Sequence, residues 1–146
     1  MQKKRIVKTP KVYLRDSGVL HYLLNIHAPA VLKVHSVVGH SWEGYCIEQI
    51  CQLLPHHIQP YYYRTHDGSE MDLVLVKGVK PLACIEIKYS LSPSATRGMN
   101  ESIRDLKTPK NFILTPGNEM NYPLRKDLRV TDLNTFLLKE LPLLIK

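Results

Sequence analysis

The longest apolar runs lie in the middle of the chain. Met71 to Val76 is interrupted only by Asp72, and Leu82 to Ile87 only by Glu86. The short Gly78-Val79-Lys80-Pro81 connection between them predicts a β-hairpin. Met71, Leu73 and Leu75 alternate with Val74 and Val76, so the first strand of the pair is expected to be covered on both faces. Ahead of it, the tyrosine-rich stretch Ile58 to Thr65 predicts another strand, and Pro60 puts the start of that strand at a sheet edge. His66-Asp67-Gly68-Ser69 is the turn between them.

A helical period takes over on either side. From His40 to Leu54, the residues Trp42, Tyr45, Cys46, Ile50, Leu53 and Leu54 recur on one face, with Ser41 as the expected cap. Asp16-Ser17-Gly18 predicts the start of a shorter helix, with Val19, Leu20, Leu23 and Leu24 as its buried face, closed by Asn25 to Pro29. Val31 to Val38 suits helix or strand and leans to helix or irregular structure. Downstream, Ser92-Pro93-Ser94 predicts the start of a helix that runs through Leu106. Asn111 to Thr115 predicts a strand, and Leu128 to Thr131 a further short one. Asp132 to Leu141 predicts a terminal amphipathic helix with Leu133, Phe136, Leu137 and Leu141 inward. A strand, a helix and a strand in succession imply a right-handed crossover with the last strand parallel. The expected class is α/β: one domain over residues 1–146, a mixed central sheet flanked by helices, and a basic lead-in over residues 1–8.

Composition narrows the setting. Hydrophobic residues at 44% and charged residues at 23% are ordinary for a folded soluble domain. No apolar run reaches the roughly 20 residues that span a bilayer, so no membrane role is expected. Cys46, Cys51 and Cys84 are odd in number, lie in apolar surroundings and lack C-x-x-C spacing. A zinc site or disulfide framework is therefore not expected, and a reducing cytoplasm is the natural setting. Twenty Lys and Arg face thirteen Asp and Glu, a net charge of +7. That excess favours a polyanionic partner such as DNA. Lys3, Lys4, Arg5, Lys8, Lys11 and Arg15 carry much of it, which leaves the remainder only mildly basic.

Candidate chemistry sits in the strands. Glu70 and Asp72 share a strand face, as do Glu86 and Lys88. Three carboxylates and one lysine thus emerge from otherwise apolar strands, where unpaired charge is costly. A divalent cation bound through oxygen is the economical partner. The bland alternatives stay open: Glu86 with Lys88 as a plain ion pair, Arg64 paired with Glu70 or Asp72, Glu43 placed to favour a helix N-terminus, and the tyrosines as sheet packing. No G-x-x-x-x-G-K-[ST] occurs, so no nucleotide is expected as a cofactor and no ATPase module in this chain.

Asp72, thirteen residues, then Glu86-Ile87-Lys88 resembles the D…(D/E)-x-K signature of the PD-(D/E)XK nuclease-like superfamily. Trp42-Glu43-Gly44-Tyr45 lies where that superfamily often has a helix-borne glutamate. With Lys11 to Leu20 and Tyr63-Arg64-Thr65 in order, the chain resembles the C-terminal domain that follows the ATPase module in many bacterial and archaeal AAA-type ATPases. The resemblance implies a restriction-endonuclease-like core and a Mg²⁺- or Mn²⁺-dependent nuclease-like activity on DNA. It assigns Asp72, Glu86 and the Ile87 carbonyl as metal ligands, with Glu43 joining directly or through water. Lys88 would orient the attacking water. Tyr63, Arg64 and Glu70 would contact substrate or support the shell. It also leaves open a non-catalytic interaction module, an ATPase module in a longer or split protein, and a homodimer.

Overall fold

The computed structural model describes residues 10–146. The basic lead-in expected over residues 1–8 lies outside the described residues. Three helices come first: α1 (Ser17–Leu23), α2 (Pro29–Val34) and α3 (Val38–Gln52). A meander follows of β1 (Ile58–Arg64), β2 (Glu70–Lys77) and β3 (Lys80–Ile87). Helix α4 (Arg97–Leu106) crosses to β4 (Lys110–Thr115), and β5 (Asn121–Arg125) and β6 (Leu128–Asp132) complete the sheet. The chain closes with α5 (Leu133–Thr135), a π-helical turn over Phe136–Glu140, and α6 (Leu141–Leu144).

The sheet has six strands in the order β1-β2-β3-β4-β6-β5. β1, β2 and β3 pair antiparallel, β3-β4 and β4-β6 pair parallel, and β5 pairs antiparallel with β6. This is the mixed α/β architecture expected, with the crossover through α4 making β4 parallel to β3. Its central strands are apolar on both faces because both are covered. On one side Leu73, Leu75, Ile85, Phe112 and Leu114 pack with Cys46 and Ile50 of α3 and with Phe136 and Leu141. On the other, Met71, Val74, Cys84, Ile113 and Val130 pack with Met99 and Ile103 of α4.

Four expectations need correction. First, Val19, Leu23 and Leu24 do not form a buried face; α1 buries none of its residues. Asp16 caps it as expected, accepting from the Gly18 and Val19 N–H groups, and among the described residues α1 rests against α3 without burying a side chain fully. Second, Ser41 is not a cap. It stands inside α3, its hydroxyl 2.7 Å from His21 Nε2. Third, α4 starts at Arg97, where Thr96 caps by accepting from Met99 N–H at 3.1 Å; residues 92–95 are irregular. Fourth, β5 was not expected. All five of its residues are exposed and Pro123 interrupts it, so the short alternation of Tyr122 and Leu124 is a weak strand signal.

The terminal segment keeps its expected inward residues Leu133, Phe136 and Leu141, although a π-helical turn replaces a regular helix. Cys46 and Cys84 are buried free thiols, pushed up in pKa by burial, in keeping with inert packing.

Candidate functional site

Two irregularities in the sheet create the site. The β1–β2 register slips between the pairs Tyr61↔Val74 and Tyr63↔Met71, so Asp72 and Leu73 together stand opposite Tyr62. Such a bulge re-aims side chains locally. The β2–β3 ladder then stops at Leu73↔Ile85. Just past that point the strands part. Asp72 Oδ2 takes the place of a ladder partner there and accepts from Ile87 N–H at 2.9 Å. Beyond it, β3 follows β4 instead, with Lys88 N–H donating to the Leu114 carbonyl at 2.9 Å. The fork thus holds Asp72 on one prong and Glu86 and Lys88 on the other.

Glu43 approaches from α3 and is buried. It accepts from Tyr13 Oη at 2.5 Å and from the Lys11 ammonium. That ammonium also lies 3.5 Å from Asp72 Oδ1 and 3.6 Å from Glu70 Oε1. It stands 5.5 Å from the Tyr13 ring centre and 5.2 Å from that of Tyr62, within cation–π range. Residues 11–13 form no regular element, and Lys11 and Tyr13, two positions apart, both reach Glu43.

The electrostatics follow from crowding. Burial, and then the neighbouring Glu43 charge, push the Asp72 carboxyl up to about 6. Burial, and then Asp72, push Glu86 up to about 7. Burial alone would lower the Lys11 pKa, but the hydrogen bonds to Glu43 and Tyr13 and the Asp72 charge hold it well above its ordinary value. Lys88 lies 3.8 Å from Glu86 Oε1 and donates to the Ser94 carbonyl at 3.1 Å.

This arrangement sets a pH dependence. Carboxyls ionise near pH 4 in an unfolded chain. Asp72 and Glu86 hold their protons more tightly when folded, so the destabilisation is absent below about pH 4 and complete above about pH 8. The melting temperature is expected to fall as pH rises from about 5 to about 8, with a shallower slope for Glu86→Gln. Differential scanning calorimetry across that interval checks it; a native melting temperature that is flat or rising would contradict the assignment.

The structure therefore brings together Glu43, Glu70, Asp72, Glu86 and Lys88. Arg64 lies 3.9 Å from Glu70, the bland pairing anticipated for it, and hydrogen-bonds Tyr62. Tyr63 is not at the site. It pairs with Met71 on the α4 side, and its hydroxyl lies 3.3 Å from Asp105. The bulge is the reason: it is Tyr62 that faces the acids, its phenol pKa raised by burial and by a hydrogen bond to Glu70. Lys11, Tyr13 and Tyr62 were missed from sequence as site residues. Their one signal was the same-side spacing of Lys11 and Tyr13.

Among the described residues, no three His, Cys, Asp or Glu side chains form a group placed to hold a metal ion. Asp72, Glu86 and the Ile87 carbonyl are the hard oxygen donors that Mg²⁺ or Mn²⁺ takes, and one or two carboxylates suffice for Mg²⁺. The surplus negative charge on that pair fits a divalent cation. Glu43 stands beside them, engaged by Lys11 and Tyr13.

Comparison with known proteins gives a family and relatives. The family model for a domain of unknown function, DUF4143, matches residues 38–136. The chain is similar to the uncharacterised protein Rv2008c of Mycobacterium tuberculosis, 38% identical over 122 residues. The uncharacterised protein Mb2031c of Mycobacterium bovis is similar to the same extent. The matched stretch covers 83% of this chain and 27% of each relative. The chain thus spans about a quarter of the length of these curated relatives. No solved structure matches. No helix among the described residues is long and apolar enough to cross a membrane.

Proposed function

Starting from the fact that the chain belongs to the DUF4143 family, we propose that it is a divalent-metal-dependent, nuclease-like domain that acts on DNA phosphodiesters. The observation that carries this reading is the fork itself. Asp72, Glu86 and Lys88 converge where β2 and β3 part, and burial, followed by a neighbouring acid charge (Glu43 on Asp72, Asp72 on Glu86), raises the two carboxyls to about 6 and about 7. Sheet stability does not call for that combination. The resemblance to the PD-(D/E)XK superfamily supports it, as does the net charge of +7.

In this reading Asp72, Glu86 and the Ile87 carbonyl would hold Mg²⁺ or Mn²⁺. The metal supplies Lewis-acid polarisation of the phosphoryl oxygen and a lowered pKa for water. Lys88, tethered by Ser94 and facing Glu86, orients the attacking water and offsets charge on the phosphate. The Ile87 N–H fixes one oxygen of Asp72 and so its rotamer. Arg64 and Tyr62 flank the acids on β1 and would meet the substrate. An ATPase module, in the same or a separate chain, is part of this proposal through the resemblance.

A second reading keeps the domain as a non-catalytic module that holds nucleic acid or a protein. One observation favours it: the Lys11 ammonium already neutralises part of the acidic cluster.

Supercoiled and single-stranded DNA incubated with Mg²⁺ or Mn²⁺ tests between them. Cleavage is expected for the native chain, with a loss of about a hundredfold or more in Lys88→Ala. Calorimetric Mn²⁺ binding should survive in that variant, since Lys88 is no ligand. Salt-sensitive DNA binding without cleavage in either metal would instead establish the second reading.

A further inference from the structure

We propose that the Lys11 ammonium is a resident counter-cation of the Glu43–Glu70–Asp72 cluster, and that a divalent cation must displace it before occupying Asp72 and Glu86. The inference deepens the metal-dependent reading and rests on it.

The geometry is specific. Lys11 Nζ bonds Glu43 and stands 3.5 Å from Asp72 Oδ1 and 3.6 Å from Glu70 Oε1. Asp72 Oδ2 is already taken by the Ile87 N–H. Oδ1 is therefore the oxygen open to a cation, and it is the one nearest Lys11. An ammonium and a divalent ion sharing one oxygen repel each other, strongly so in a partly desolvated site. One must leave.

The segment that carries Lys11 is built to yield. Residues 10–14 form no regular element and the Val12 side chain is exposed, while Tyr13 beside it is half-buried and donates to Glu43 at 2.5 Å, so the movement required is of the Lys11 side chain and its immediate backbone. The following Arg15 stays attached. Its guanidinium grips both oxygens of Glu48 on α3, at 2.7 and 2.8 Å. Lys11 can therefore swing out while α1 keeps its place. The domain would rest with its acids neutralised from within and open to metal when the strap lifts.

Two measurements test this. In the first, Mn²⁺ affinity is measured by calorimetry on the native chain, Lys11→Met and Lys11→Arg, with folding checked by circular dichroism. Lys11→Met is expected to bind about tenfold more tightly, and Lys11→Arg, which keeps the charge, to bind like the native chain. Equal or weaker binding in a folded Lys11→Met would overturn the inference while leaving the metal reading intact. No binding in any of the three would overturn both. The second measurement needs no variant. Lys11 of the native chain is acetylated with an amine-reactive ester, and its modification is read by mass spectrometry. Saturating Mn²⁺ should raise Lys11 modification several-fold relative to other lysines; unchanged or reduced modification would refute displacement.

Discussion

A chain carrying Asp72→Asn should bind no Mn²⁺ and lose DNA cleavage by about a thousandfold or more. The metal's electrostatic contribution is several kcal/mol, and each 1.4 kcal/mol or so is a factor of ten in rate. The variant is well chosen because asparagine keeps the Oδ that accepts from Ile87 N–H, so the fork itself need not open. It also removes the charge that helps push up Glu86. The Glu86 carboxyl should therefore titrate lower in the variant, which carbon-detected NMR of the side chain would show. Cleavage retained at native levels would sink the metal-dependent reading. Lost cleavage together with lost folding would not support it, so the melting curve is measured alongside.

The second large effect is on stability. Phe112→Ala should lower the unfolding free energy by about 3–5 kcal/mol, out of a total of about 5–15 for a domain of ordinary stability. Phe112 sits in β4, between β3 and β6, and is 1% exposed. Its ring meets Phe136 edge-on, with centroids 5.0 Å apart and planes at 70°. Removing it empties the layer that joins the sheet to the terminal helical segment. Urea unfolding should show a lower midpoint with an unchanged slope. Phe112→Leu, which refills part of the space, should lose less. A midpoint within error of native would mean that this face of the sheet is not the core.

What could be read from sequence was what lies in long apolar runs. β2, β3, β4 and α3 carry their signals internally, and Asp72, Glu86 and Lys88 stood out because they interrupt or end such runs. The misses have other causes. Tyr62 and Tyr63 exchange roles because of a single bulge, and strict alternation has no means of locating one. β5 exists because β6 offers it an edge, not because its own residues favour a strand. α1 has an apolar stripe of helical period, but burial depends on a covering layer that period alone does not reveal. Lys11 lies 32 positions from Glu43 and 61 from Asp72. Only the folded topology could bring it to the acids.

The two edge strands of the sheet also limit how copies of this domain can meet. β1 carries Pro60 and β5 carries Pro123, each on the outermost strand. A proline removes one backbone donor and fixes its local geometry, so each border resists accepting a foreign strand. Extension of the sheet from copy to copy is thereby disfavoured at both ends, and with it the open-ended stacking that leads to fibres.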